Sequence, residues 1–233
     1  MKKINRKKYV GSIVATVLTT ALILIGSFAG ATNLLAKASK VEGRTVAPKT
    51  NLAPVSIYDE ENLLRISIED VGKYHGDISF CAVVGFRATQ FAIAQLWKDE
   101  IPKRKDFKII SAFPGKGSQD AFEFITRAKT RKDFNLKLPE GTSPQNLSID
   151  NLVFTFTRKS TGKQIKIWVK EEIFPIGYKE FFNLRKKAKF DKMATPKEKK
   201  AFKLAKQELK EIVMSLPVDS LFGFQKNQAG KND

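Results

Sequence analysis

The chain has 233 residues and a formal net charge of +18, with 42% hydrophobic and 28% charged residues. That length allows one ordinary domain with an appendage, or two small domains, and the composition is that of a folded globular body, not of a disordered chain or one that crosses a membrane many times. One cysteine and one histidine exclude an intrachain disulfide framework and a closed zinc finger, whose four ligands come mainly from those two residue types.

Residues 1–38 read as an export address. They carry six cations, Lys2, Lys3, Arg6, Lys7, Lys8 and Lys37, and no acid, and the run Tyr9–Ala36 between them is uncharged. Two small-x-small sites, Ala29-Gly30-Ala31 and Ala36-Lys37-Ala38, are of the type that signal peptidases cut. About 20 apolar residues are enough to cross a bilayer, so the segment is either a cleaved signal peptide or an N-terminal membrane anchor over residues 9–36. In both cases the basic flank keeps the N-terminus cytoplasmic. The body is therefore expected outside the cytoplasm, where no nucleic-acid partner is expected. Residues 39–56 contain Pro48 and Pro54 and no hydrophobic period, and read as a linker.

The body, residues 57–225, is expected to be a single α+β domain. Ser79 is placed as the N-cap of an apolar helix over Cys81–Trp97, whose small residues Ala82, Gly85, Ala88, Ala92 and Ala94 allow another backbone to come close. This helix should be central to the core. Phe107–Phe113 alternates as a strand, Pro114-Gly115-Lys116-Gly117 turns the chain, and Ser118–Ala128 resumes a helical pattern. Leu152–Thr157 and Gln164–Val169 are β-rich runs joined through Lys159-Ser160-Thr161-Gly162, and form a hairpin of a mixed or antiparallel sheet. The pattern turns helical again after Pro175. The last helix carries its own start signals, with Thr195 as N-cap, Pro196 in the first turn and Glu198 completing a capping box. Phe202, Ala205, Leu209, Ile212, Val213 and Leu216 lie on its core face, and Pro217 stops it. Residues 226–233 read as a polar tail.

The chemistry-bearing residues cluster. The sole histidine, an acid and the sole cysteine fall in His75-Gly76-Asp77-Ile78-Ser79-Phe80-Cys81. A helix N-terminus beside Cys81 favours thiolate over thiol. Imidazole, carboxylate and thiolate are then donors suited to a borderline divalent metal such as zinc. The same residues could serve as a Cys81–His75 nucleophile pair, or Cys81 could be a small buried hydrophobe. The loop Pro114–Ser118 invites an anion at its amides, but it is not a Walker A loop, because Ile110 stands where that motif needs its first glycine. A plain turn is the simpler explanation of its glycines. Asp120 complements the dipole of its helix or belongs to a site. Arg185–Lys210 holds eleven cations against Asp191, Glu198 and Glu208. That is either a solvated helix face or a docking surface for anionic lipid or an envelope polymer.

Taken in order, His75-Gly76-Asp77 through Gly85-Phe86-Arg87-Ala88, Asp120-Ala121-Phe122, Leu152 to Lys163 and Leu216-Pro217-Val218-Asp219-Ser220-Leu221-Phe222 resemble the formylmethanofuran dehydrogenase FmdE family, over about residues 68–224. The resemblance implies an α+β domain with a metal-binding tendency, of the kind found in accessory proteins beside a molybdenum or tungsten enzyme. This chain departs from the family's H-G-H-x-C-P-G pattern. Asp77 replaces the second histidine, Ser79 stands at the usual cysteine position, and Gly117 falls where another cysteine is common. A metal, if held, is expected at His75, Asp77 and Cys81. Three readings follow: an exported domain of this family that binds a metal ion or small ligand, an envelope interaction module using the basic surface, or a thiol-dependent enzyme using Cys81 and His75. A homodimer is also compatible with the sequence.

Overall fold

The structure is a computed structural model that describes residues 52–228. The export segment, most of the linker and the end of the polar tail lie outside the described residues. Among the described residues no helix is long and apolar enough to cross a membrane.

The chain opens with a hairpin, β1 (Val55–Asp59) and β2 (Asn62–Ile66), paired antiparallel from Val55↔Ile66 to Asp59↔Asn62. This hairpin begins inside the expected linker. Its Val55, Ile57 and Ile66 are buried, and Arg104 fastens it to the body by an ion pair with Asp59 at 2.6 Å and donation to the Ile125 and Phe124 carbonyls. Helix α1 (Ile68–His75) follows. Ser67 and Asp70 form a capping box at its start, and Gly76, at φ 102°, closes it in the left-handed conformation that glycine adopts without strain.

Helix α2 (Phe80–Leu96) is the central helix expected from the small-residue run, with the Ser79 hydroxyl accepting from the Ala82 amide at 3.3 Å. It packs against α3 (Lys116–Thr126), against α5 (Pro196–Ser215) and onto the sheet. The approach to α3 is close enough to need glycine. A Cβ on Gly85 would lie 2.8 Å from Ser118 Cα and 2.9 Å from its carbonyl oxygen. The buried Arg87, in the middle of α2, donates to the Leu216 carbonyl at the C-terminal end of α5, where a cation also complements the helix dipole.

The main sheet has strand order β4-β3-β5-β6-β7, with β3 (Phe107–Ser111), β4 (Phe134–Leu136), β5 (Val153–Arg158), β6 (Lys163–Val169) and β7 (Phe222–Gln228). Only the β3–β4 pair is parallel. The chain makes this crossover through α3, as a parallel pair requires a connecting segment across the sheet. The expected hairpin is β5–β6, in register from Val153↔Trp168 to Thr157↔Gln164, and Gly162 takes φ 68° at its turn. Phe154, Phe156, Ile165, Ile167 and Val169 face the helices and are buried, whereas Lys166 and Trp168 face out. Burying each such aromatic or aliphatic side chain contributes about 1.5–3 kcal/mol before entropy is counted.

The end of the domain differs from the expectation. After Pro217 a short helix, α6 (Val218–Leu221), leads into β7, which pairs with all of β6 from Lys163↔Gln228 to Val169↔Phe222. Residues 226–228 are therefore strand and not tail. Their polar side chains concealed this, because β7 is an edge strand and needs only its backbone bonds and its first residues, Phe222 above all, to hold it. Between β6 and α5 in the chain lies α4 (Tyr178–Lys186), which packs against α5 and is followed by one wide turn over Lys187–Asp191.

Candidate functional site

Helices α2 and α3 meet at their N-termini. Gly117 in the first turn of α3 is buried against the start of α2. A Cβ there would stand 2.8 Å from the Ala82 nitrogen and from Ser79 Oγ, and 3.1 Å from Cys81 Cβ. The glycine reads as a turn former in the sequence, but its φ is negative and α3 already begins at Lys116, so packing and not turn geometry requires it. Gly115, the N-cap of α3, supplies no side-chain cap.

The C-terminal end of α1 is brought to the same place. His75 Nδ1 lies 2.8 Å from Asp120 Oδ2, across 45 positions of sequence. An ionised carboxylate only accepts, so this contact puts the ring proton on Nδ1 and turns Nε2 outward. Nε2 stands 3.5 Å from Asp77 Oδ1, and the Asp77 side chain is 68% exposed. Of the two readings open for Asp120 in the sequence, the structure makes it the residue that orients the imidazole.

His75, Asp77 and Cys81 line one cavity of about 510 Å³. Its second wall comes from α4, the turn after it and α5. Phe181, Phe182 and Phe202 form an aromatic floor with Phe80, held by ring contacts of Phe181 with Phe80, Phe182 and Phe202 at 6.2, 5.6 and 5.5 Å. Arg185, Lys189 and Lys206 supply charge on that side, and Lys116 supplies it from α3. Asp77 is the one carboxylate among the lining residues.

Cys81 is half-buried in the first turn of α2. Its environment reverses the expected thiolate character. Burial pushes the thiol up to about 11, while the nearby Lys189, Arg185 and Lys206 charges pull the other way and Asp77 adds to the rise. Cys81 is therefore a neutral thiol at physiological pH, which removes the activation that a nucleophile role requires.

The structure brings His75 and Asp77 into contact and places Cys81 on the same cavity. Among the described residues, however, no three His, Cys, Asp or Glu side chains group as a metal site would need. His75 Nε2 and Asp77 Oδ1 make at most a two-donor set, and four cations line the space around it, a field that opposes a dication. A zinc-like site closed by protein donors does not fit these residues. The sequence reading missed the second wall. Its signal was spacing: Phe181, Arg185 and Lys189 recur four apart, and so do Phe202 and Lys206, so that a cation follows an aromatic by one helical turn on the same face.

Residues 74–223 match the family model described as FmdE, molybdenum formylmethanofuran dehydrogenase operon. The chain belongs to this family. The match runs from the end of α1 into β7 and so includes both walls of the cavity. The chain is also similar to a crystal structure of a tungsten formylmethanofuran dehydrogenase FmdE-like protein from Syntrophus aciditrophicus, at 14% identity and a TM-score of 0.39 over 69% of this chain and 70% of that one. No curated protein matches the FmdE-family chain described here.

Proposed function

We propose that this chain is an exported member of the FmdE family whose domain binds a small ligand in the cavity between the His75 wall and the aromatic, basic wall. The observation that carries the reading is the convergence of the sole imidazole, the sole thiol and four cations on one cavity of about 510 Å³, a size suited to a small molecule. Asp120 holds the imidazole in place, so that Nε2, 3.5 Å from Asp77 Oδ1, is presented to whatever occupies the space. The export part of the reading is supported by the uncharged run Tyr9–Ala36 behind a basic start.

The test uses Cys81 as a reporter, since it is the sole cysteine. The full chain is treated with iodoacetamide alone, with a small-molecule extract of the producing cells, and with zinc. The extract should slow the alkylation of Cys81, and dialysis should restore the rate. An extract without effect would contradict the reading. Protection by zinc alone would favour the metal-ion reading at His75, Asp77 and Cys81 in its place.

A second reading is favoured by the surface of α5. Leu204 is 59% exposed on the same helical stripe as the exposed Lys197 and Lys200, a pairing of apolar and basic groups suited to the surface of an anionic membrane. At about 1 kcal/mol per surface cation, binding to vesicles containing an anionic lipid should fall steeply with salt, and binding indifferent to salt would dismiss this reading.

A further inference from the structure

On the reading of the cavity as a ligand site, we propose that its ligand is a flat organic anion, with an aromatic or similarly planar body and an acidic head. The charges that line the space are unbalanced. Arg185, Lys189, Lys206 and Lys116 face a single carboxylate, Asp77, and none of the four cations makes an ion pair within the described residues. Exposed lysines tolerate this because water screens them. Arg185 is different. Its guanidinium is half-buried, donates to the Pro144 carbonyl at 3.0 Å and lies over the Phe190 ring at 5.0 Å, and burial lowers its pKa. A desolvated cation without a counter-charge is unfavourable, and a bound anion would offset that cost. A guanidinium also presents the fork of donors that matches a carboxylate or phosphate head.

The apolar part of the cavity specifies the rest of the ligand. Phe190, 36% exposed, lines it together with the small uncovered parts of the otherwise buried Phe113, Phe181, Phe182 and Phe202, and a bare inorganic anion would leave Phe190 and these ring edges facing water. A planar body would cover them, while its head lay among the cations beside the first turn of α3, where Gly115 leaves the helix end without a side-chain cap. A neutral ligand would leave the charge unbalanced, and a cationic one would be repelled.

The experiment follows the ring-proton NMR signals of His75, the sole histidine, in the full chain held in an uncharged detergent. Naphthoate carries both the rings and the charge, naphthamide the same rings without charge, and inorganic phosphate the charge without rings. Naphthoate should shift the His75 signals saturably and bind at least ~tenfold tighter than either of the others. Arg185→Gln, and separately the pair Lys189→Gln with Lys206→Gln, should weaken naphthoate toward naphthamide and leave naphthamide unchanged. Equal binding of naphthoate and naphthamide would overturn the anionic head, and phosphate binding as tightly as naphthoate would overturn the planar body. No shift with any of the three would overturn the proposal altogether. The wider reading fails on its own test, when no small molecule protects Cys81.

Discussion

The two walls of the cavity are built on different principles. The His75 wall is fixed by backbone contact: Gly85 and Gly117 let α2 and α3 touch without side chains between them, and the His75–Asp120 bond crosses the seam at 2.8 Å. The opposite wall is fixed by rings, with Phe181 in contact with Phe80, Phe174, Phe182 and Phe202, and its cavity-lining cations, Arg185, Lys189 and Lys206, make no ion pair within the described residues. A wall made by backbone contact can hold one side chain in one orientation, as it holds the imidazole. A wall of rings and long basic chains can adapt to what it meets. The difference assigns orientation to one side of the cavity and accommodation to the other.

Substitutions that strike one wall at a time break this comparison apart. The largest effect is expected from Phe181→Ala, which empties the centre of the aromatic wall and should cost about 3–5 kcal/mol in urea unfolding. Gly85→Ala strikes the other wall. Its new methyl group would meet the Ser118 backbone at 2.8 Å, and helices held by their sheet connections yield little, so a loss of about 1–3 kcal/mol is expected. It should also displace the His75 signals, because α3 carries Asp120. Thr195→Ala removes the N-cap of α5, whose hydroxyl accepts from the Glu198 amide, and should cost about 1 kcal/mol without altering the His75 signals.

Two titrations sharpen the contrast further. The raised thiol value means that the rate of Cys81 alkylation should climb with a midpoint near 11 and not near the ordinary 9.0. The group is neutral when folded, so the stability it confers is present below the ordinary thiol value and is lost as pH rises from there through the folded one. A midpoint at the ordinary value would mean that burial does not outweigh the pull of the Lys189, Arg185 and Lys206 charges on the thiol. Glu198 behaves in the opposite sense. Its bond from Lys187, with those from Thr195, holds it down at about 2. That stability is present above the ordinary carboxylate value of 4.5 and is lost as pH falls through about 2. The difference in stability between the wild-type chain and Glu198→Gln should therefore shrink steadily on acidification. A difference that does not change with pH would deny the ion pair a role in holding the basic segment.

The parts legible in the sequence are those governed by local rules. The α2 N-cap at Ser79, the β5–β6 hairpin and the Thr195-Pro196-Glu198 start of α5 each follow from residues within one or two turns of one another. Helix α1 had such signals too, in Ser67, Asp70 and Gly76, but it is only eight residues long and its apolar period is too short to stand out. The β1–β2 hairpin and β7 lacked them, since a hairpin closed by Glu60 and Glu61 has no glycine turn, and β7 is polar along its exposed edge. At the site, the cluster His75–Cys81 was visible because it is contiguous. The partner of the imidazole was not, because nothing local distinguishes an Asp120 that complements a dipole from one that reaches back 45 positions to His75. The character of Cys81 was not legible for the same reason: the helix end argues for thiolate, but the burial that decides the matter is tertiary, with Gly117 of α3 packed close to Cys81 Cβ.

The most direct test of the account is whether the imidazole and the thiol share one cavity. The protection of Cys81 from iodoacetamide should be measured over the same naphthoate titration that moves the His75 signals. The account predicts that both responses follow one curve with a common midpoint. A thiol that reacts at an unchanged rate while the imidazole responds, or the reverse, would mean that the two walls do not enclose a common site.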